Sequence, residues 1–256
     1  VVIPAYNEIA TIADIVRRAR QQIEPVLVVD DGSSDDTASQ AEAAGATVLR
    51  QPRNQGKGLS LWRGMRHAVG QGAEAVITLD ADGQHRPEDI PKLVAAYRRW
   101  PKHLIIAARL EHREAAPPLR RFANSMADFW VSWAAGCPIA DTQSGFRLYP
   151  ADLLLAVDFP QGGCLGFAFE SALLIQAGRQ HSYPQVVAIE TIYQAEARPS
   201  HYRPWRDTQR IVRLVAWSLF RRGMYPLGLL RSLGLLSLPT DHHECLLKQK
   251  DSGGER

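Results

Sequence analysis

Ala75-Val-Ile-Thr-Leu-Asp80-Ala-Asp82-Gly-Gln84-His85 is the stretch whose reading decides the fold. The apolar run from Ala75 to Leu79 reads as a buried strand, and two carboxylates one residue apart follow it directly. In an open α/β sheet the carboxyl ends of the strands are where ligands bind. Two hard oxygen donors at such a place suit Mg²⁺ or Mn²⁺ holding phosphate oxygens. The same residues also read as a plain turn capped by Asp80 and Asp82, with Asp82-Gly83 supplying its chemistry.

Outward from this stretch, apolar bursts alternate with helical spacing. Val1 to Ile3 reads as a strand, and Ile12, Ile15, Val16, Ala19 and Ile23 keep one face of a helix from about residue 11 to 23. Val26 to Val29 is a second strand, and Ser33-Ser34-Asp35-Asp36-Thr37 offers N-caps for a helix through Ala44. Thr47 to Leu49 is a short third strand. A helix carrying Leu61, Met65, Ala68 and Val69 then leads into the strand before Asp80. Pro87 starts a helix with Ile90, Leu93, Val94 and Tyr97 inward, and Leu104 to Ala108 is the next strand. Such alternation implies an α/β fold, Rossmann-like, with a mostly parallel sheet and right-handed crossovers.

Beyond Arg109 the pattern loosens. A helix from about residue 119 to 135 bears Phe129, Trp130 and Trp133, and Gly162-Gly163 leads to another near Glu170 to Ala177. From Ile211 apolar residues alternate with arginines, among them Arg213, Arg221, Arg222 and Arg231. That pattern suits an amphipathic helix on a membrane surface, and equally a helix packed on its own sheet with a solvated basic face.

The 256 residues suffice for one principal domain and a tail, and 45% hydrophobic with 22% charged residues is a globular composition. A net charge of +3 does not argue for nucleic acid. Cys137, Cys164 and Cys245 are odd in number and far apart, so a reducing compartment and inert thiols are expected rather than a disulfide framework. His242-His243 with Cys245 lacks the partner pair of a zinc site. The sequence is expected to open inside the first strand; no signal peptide is visible in this stretch, and no apolar run in it reaches the roughly 20 residues of a membrane span.

Three polar clusters follow the first, second and fourth strands: Asn7-Glu8, Asp30-Asp31-Gly32-Ser33, and Asp80-Ala-Asp82. Parallel strands bring them to one sheet edge, where converging carboxylates need cations such as a metal-bound diphosphate. Gly56 and Gly58 lack the third glycine of a dinucleotide loop, because position 61 is Leu. A Gly-x4-Gly-Lys-Ser/Thr loop is absent, and an EF-hand would need Asp or Asn at 84 and Gly at 85. An aspartyl phosphatase would carry its Asp-x-Asp on the first strand.

Five motifs, in order, resemble the family 2 glycosyltransferases of GT-A fold. They are Val-Val-Ile-Pro-Ala-Tyr-Asn-Glu (1–8), Val-Val-Asp-Asp-Gly-Ser-Ser-Asp-Asp-Thr (28–37), Asn-Gln-Gly-Lys-Gly (54–58), Asp-Ala-Asp-Gly-Gln-His (80–85) and Asp-Thr-Gln-Ser-Gly-Phe-Arg (141–147). The resemblance covers about residues 1 to 195 and is nearest the dolichyl-phosphate mannose synthase and polyprenyl-phosphate glycosyltransferase branch. It implies a three-layer GT-A domain, taken over 1–210, and the residue pattern after Ile211 adds C-terminal amphipathic helices and a polar tail over 211–256. It also implies an inverting transfer of one sugar from a nucleotide diphosphate sugar. Pro4, Tyr6 and Glu8 would line the nucleoside pocket, Asp31 would meet the base or ribose, and Lys57 would lie near the nucleotide. Asp80 would meet the sugar or ribose, and Asp82 with Gln84 would hold the Mg²⁺ or Mn²⁺ that bridges the diphosphate.

On the acceptor side, Arg109, Arg121 and Ser125 match the phosphate-binding positions of the lipid-phosphate branch, and Arg147 would serve either phosphate. Guanidinium forks suit a phosphate monoester. Members that glycosylate sugar hydroxyls often carry Glu-Asp, with the Asp as general base, where this chain has Glu170-Ser171. A phosphate oxygen is already ionised and needs no base, so the departure favours a phosphate-bearing acceptor or makes Asp141 the substitute base. The branch's Gly-x-Ser-Lys segment is also replaced: Ser200, His201 and Arg203 would form an equivalent anionic clamp. The Gln-x-x-Arg-Trp signature of processive synthases is absent, which points to single-sugar transfer. The expected enzyme acts on a lipid-linked acceptor, with a hydroxyl acceptor or a non-catalytic nucleotide-sugar binder as rivals. Its place is the cytoplasm, peripheral at the inner membrane face.

Overall fold

In the computed structural model, residues 1–109, 118–157, 166, 168–190 and 204–239 are described. Four short aliphatic runs become β1 (Val2–Ala5), β2 (Leu27–Asp30), β3 (Thr47–Arg50) and β4 (Ala75–Thr78). Three more strands follow: β5 (Ile105–Ala108), β6 (Arg147–Pro150) and β7 (Gln185–Ala188). They form one sheet in the order β3-β2-β1-β4-β6-β5-β7. All pairings are parallel except those of β6, which runs against both β4 and β5.

The central strands are buried on both faces, as sandwiched parallel strands must be. Val2, Leu27, Val29, Val76, Leu104 and Ile106 belong to one core cluster. Their neighbours Ile3, Val28, Ile77 and Ile105 belong to the other. This is the period-two alternation of a strand, with both sets apolar. Full burial of each such side chain contributes about 2 kcal/mol.

On the second of these faces lie α1 (Ile12–Arg20), α2 (Thr37–Ala43) and α4 (Ile90–Arg99), the last entered through a 3-10 turn at Pro87–Asp89. Buried Ile12, Ile15, Val16 and Ala19 form the inward stripe of α1. The first face is covered by α3 (Lys57–Gly70), α5 (Pro118–Ala135) and α7 (Ala168–Arg179). Gly64 lets α3 lie directly on the sheet, since a Cβ there would stand 2.5 Å from Val2 and 2.8 Å from Val29. A short α6 (Ala151–Leu155) follows β6. The layers are therefore helix, sheet, helix.

After residue 203 come α8 (Pro204–Phe220) and α9 (Pro226–Ser232). Val215 and Leu219 of α8 are buried in the same core cluster as Leu173 and Leu174 of α7. The expected division between residues 210 and 211 falls inside α8, because this helix continues the packed layer. Among the described residues no helix is long and apolar enough to cross a membrane.

Two strands were not legible in the sequence. β6 begins with Arg147 and ends with Pro150, and β7 begins with Gln185. Four residues with polar ends carry too little periodicity, and the pairing of Thr78 with Arg147 joins residues far apart in the chain.

Candidate active site

The carboxyl ends of β1, β2, β4 and β5 share one sheet edge, and β6, running backwards, begins there. The register of β1 and β2 sets Ala5 beside Asp30, and Leu79 N donates to Val2 O at 3.1 Å, so Asp80 lies level with Pro4. Thr11 Oγ1 donates to Ala81 O at 2.6 Å and locks the two turns together. The first two loops are clipped likewise. Asn7 N donates to Ser33 Oγ, Ser34 N donates to Asn7 Oδ1 (both 2.9 Å), and Glu8 N donates to Thr37 Oγ1 at 2.8 Å. Asn7 holds a left-handed backbone, φ 56°, which Asn tolerates better than most residues.

Asp80 is not open to solvent on all sides. Lys57 Nζ, at the amino end of α3, lies 2.8 Å from its Oδ1 and 3.2 Å from Glu170 Oε2 on α7. Burial alone would lower the Lys57 ammonium, but the two carboxylates overcome it and hold the group above its ordinary value. Burial alone would raise Asp80, and the Lys57 charge overcomes that and lowers it. Gly145 completes the cradle, since a Cβ there would sit 2.3 Å from Asp80 Oδ2. Lys57 thus meets a partner that sequence reasoning did not assign. The signal was Glu170 in the first turn of its helix, which the sequence marked only for its missing Asp neighbour.

Asp82 stands at the mouth, exposed, with Gln84 partly exposed beside it. Gln84 N donates to Asp82 Oδ1 at 3.0 Å, an Asx turn that orients the carboxylate. Surrounding protein and then the neighbouring Asp80 charge raise the Asp82 carboxyl. A carboxylate so placed gains from a cation, and Asp82 with Gln84 offers hard oxygen donors. Among the described residues no group of three or more His, Cys, Asp or Glu is arranged to hold a metal by itself. His85 is buried, and desolvation lowers its imidazole to about 4. Among the described residues its Nδ1 has no hydrogen-bond partner, and its ring lies 5.5 Å from that of Phe146.

At the end of β1, Pro4 is buried within the strand, whereas Tyr6 and Glu8 are partly exposed. Asp31 is buried, and its two oxygens accept from Gln55 N and Gly56 N, both at 2.8 Å. Burial raises its carboxyl against the lowering by these N–H groups. Asp31 therefore shapes the 54–58 loop as well as facing the edge. The loop crosses so tightly over Gly32, φ 73°, that a Cβ there would stand 2.6 Å from the Arg53 carbonyl carbon.

On the other side of the edge, Arg109 and Asp141 form one unit. Arg109 Nε and Nη2 donate to the two Asp141 oxygens at 2.9 Å each, and Arg109 N donates to Oδ2 at 3.0 Å. Asp141 is buried at φ 52°. Its neighbour Thr142 is tied to Asp128 of α5, with Thr142 N and Oγ1 donating to Oδ1 at 2.9 and 2.7 Å. Arg121 and Ser125, one turn apart on α5, are both exposed.

Arg147 is the clearest correction. It is 0% exposed, and its guanidinium donates to Tyr149 Oη, Glu170 O and Thr142 O at 3.2, 3.4 and 2.8 Å. It braces the floor beneath Glu170 and Thr142 and presents no face to a phosphate, because β6 directs it into the interior. Arg203, with Ser200 and His201, lies outside the described residues, as do Cys164, Cys245 and the His242-His243 pair. Cys137 is buried, which pushes its thiol up to about 12, as suits an inert residue.

A seven-stranded sheet with one reversed strand, helices on both faces and a carboxylate pair at its edge is the architecture of the GT-A fold. The chain belongs to glycosyl transferase family 2, whose model matches residues 1–149. It is 29% identical over 249 residues to an undecaprenyl-phosphate mannosyltransferase of Micrococcus luteus, covering 91% of this chain and 98% of that one. It is also 32% identical over 153 residues to an uncharacterized protein of Methanocaldococcus jannaschii, covering 58% of this chain and 63% of that protein's length. Among solved structures, glucosyl-3-phosphoglycerate synthase of Mycobacterium tuberculosis, in complex with Mn²⁺, UDP-glucose and phosphoglyceric acid, has the same fold. Its TM-score is 0.63 at 24% identity, over 88% of this chain and 79% of that one.

Proposed function

We propose that this chain is an inverting, metal-dependent glycosyltransferase that moves one sugar from a nucleotide diphosphate sugar to a lipid-linked phosphate, a polyprenyl phosphate, at the inner membrane face. The observation that carries the reading is the division of the sheet edge. One side gathers Asp80, Asp82 and Gln84. On the other, the Asp141 carboxylate is committed to Arg109 through both oxygens. Asp141 so paired is poorly disposed to take a proton from a hydroxyl, and position 171 is Ser. A phosphate acceptor removes the need for a base. The near full-length likeness to an undecaprenyl-phosphate mannosyltransferase supports the same acceptor class.

In this reading Pro4, Tyr6, Glu8 and Asp31 frame the nucleoside pocket, and Lys57 holds Asp80 in place to meet the ribose or sugar. Mg²⁺ or Mn²⁺ would be held by Asp82 and Gln84, and when bound it supplies positive charge against that building on the departing nucleoside diphosphate. Arg109, oriented by Asp141, would bind the acceptor phosphate with Arg121 and Ser125. An oxygen of that phosphate forms the new bond to the anomeric carbon as the bond to the diphosphate breaks on the opposite face. No proton needs removing.

A thermal-shift screen of nucleotide sugars with and without Mn²⁺ tests the donor half, because a ligand of the folded state raises apparent stability. A shift with one donor that vanishes in Asp82→Ala supports the assignment. Absence of metal dependence for every donor would overturn it. Transfer to polyprenyl phosphate in detergent, compared with a polyprenol, tests the acceptor half.

A further inference from the structure

We propose that α5, α8 and α9 together form a docking face for an anionic lipid bilayer, an inference that rests on reading the acceptor as membrane-borne. Helix α8 buries Val215 and Leu219 in the core while its other side leaves Trp217 and Phe220 60% and 72% exposed. On α9 Leu227 and Leu230 are exposed, and on α5 Phe122 stands 65% exposed with Met126 and Trp130 following at one-turn intervals. Soluble surfaces rarely hold so many large apolar groups together.

Helix α5 packs on both α8 and α9, and aromatic contacts join parts of this surface. Trp130 stacks on Trp133 at 5.3 Å, and Trp133 Nε1 donates to Tyr225 O, just before α9, at 3.2 Å. The Arg222 guanidinium lies 3.4 Å over the Tyr225 ring. Next to it, Arg221 lies 5.6 Å over Trp217, which stacks on Phe220 at 6.3 Å.

Charge selects the occupant. Residues 208–240 contain five arginines and neither Asp nor Glu. A second copy of the chain would bring like charges together across this face, whereas anionic headgroups complement them. Aromatic and aliphatic groups ringed by arginine are suited to the headgroup and acyl boundary. Arg121 and Ser125 flank Phe122 and Met126 on α5, so docking sets the acceptor-phosphate positions at the bilayer edge.

The test is co-sedimentation of the full chain with phosphatidylcholine vesicles and with vesicles containing phosphatidylglycerol. Preferential binding to the anionic vesicles is expected. Trp217→Ser with Phe220→Ser should weaken partitioning about tenfold, and Phe122→Ser about threefold. Arg213→Glu with Arg221→Glu should weaken it at least about tenfold. The melting temperature and the donor-induced shift should stay as in wild type. Partitioning equal to wild type in all three variants, equal binding to neutral vesicles, or a dimer dissolved by the Trp217 and Phe220 changes without vesicle binding would each overturn the proposal. Transfer to detergent-solubilised polyprenyl phosphate separates the two readings. Transfer without vesicle binding sinks only the docking face, and vesicle binding without transfer sinks only the acceptor assignment.

Discussion

The two sides of the crevice are built differently. Around Asp80 the structure is closed and held by charge: Lys57 bridges Asp80 and Glu170, Arg147 braces from below, and Gly145 leaves no room for a side chain. Around Arg121 and Ser125 it is open, with α5 presenting both to solvent beside large apolar groups. A nucleotide diphosphate is a small, multiply charged ligand that rewards donors set in advance. A lipid-borne phosphate arrives from a surface and needs access. The Arg109–Asp141 pair lies between these regimes, buried at the carboxylate and partly exposed at the guanidinium.

The sharpest way to break this contrast is at the mouth of the closed side. Asp82→Ala should reduce transfer by about 10³-fold or more, with loss of the Mn²⁺ dependence of donor binding. Activity above about a tenth of wild type in steady-state assays, against that thousandfold loss, would mean that Asp82 is only a turn residue.

Lys57→Met probes the ion triangle itself. It leaves Asp80 and Glu170 without the ammonium they share, and urea unfolding should show a loss of about 3 kcal/mol. Adding Glu170→Gln should restore part of that loss, because one of the two stranded charges is removed. No recovery would mean that the triangle is not one electrostatic unit.

Acidification should weaken the closed side before the open one. His85 is lowered from 6.5 to about 4 by burial, so the unfolded chain takes up its proton first. Stability is complete above pH 6.5 and is lost as pH falls toward 4, by about 2 kcal/mol between pH 7 and 5 from this group. Replacing His85 with Phe should flatten that part of the pH profile in chemical denaturation. An unchanged slope would assign the loss elsewhere.

The smallest effect is expected at the boundary between the two sides. If Asp141 positions Arg109, then Asp141→Asn and Arg109→Ala should each cost about tenfold in transfer, and the double variant little more than either. A loss near 10⁴-fold in Asp141→Asn alone, with donor binding intact, would instead identify a general base and a hydroxyl acceptor.

Much of the carboxylate side was legible from residues alone. The helical stripe of α1 and the carboxylates after β2 and β4 are local signals, and strand polarity carries them to one edge. The Asp80–Lys57–Glu170 triangle was not legible, because α3 and α7 meet only when both lie on the same face of the sheet. Gly58 marks that approach, since a Cβ there would meet Gly166 O at 2.6 Å and Phe169 Cβ at 2.7 Å. Arg147 misled for a related reason: its charge suggested an exposed phosphate ligand, but only the antiparallel strand containing it tells which way the side chain goes.

By itself the sequence determined the alternating strands and helices, the family motifs and the chemical types gathered at the sheet edge. These depend on periodicity and on residue identity, both of which are written locally. Tertiary structure alone decided that β6 runs backwards, that Lys57 is shared by two carboxylates and that Arg147 is interior. It also decided that α8 turns one face to the core and the other outward. Each of these depends on which distant segments pack together, and burial, not residue type, sets whether a charge serves a ligand or the fold.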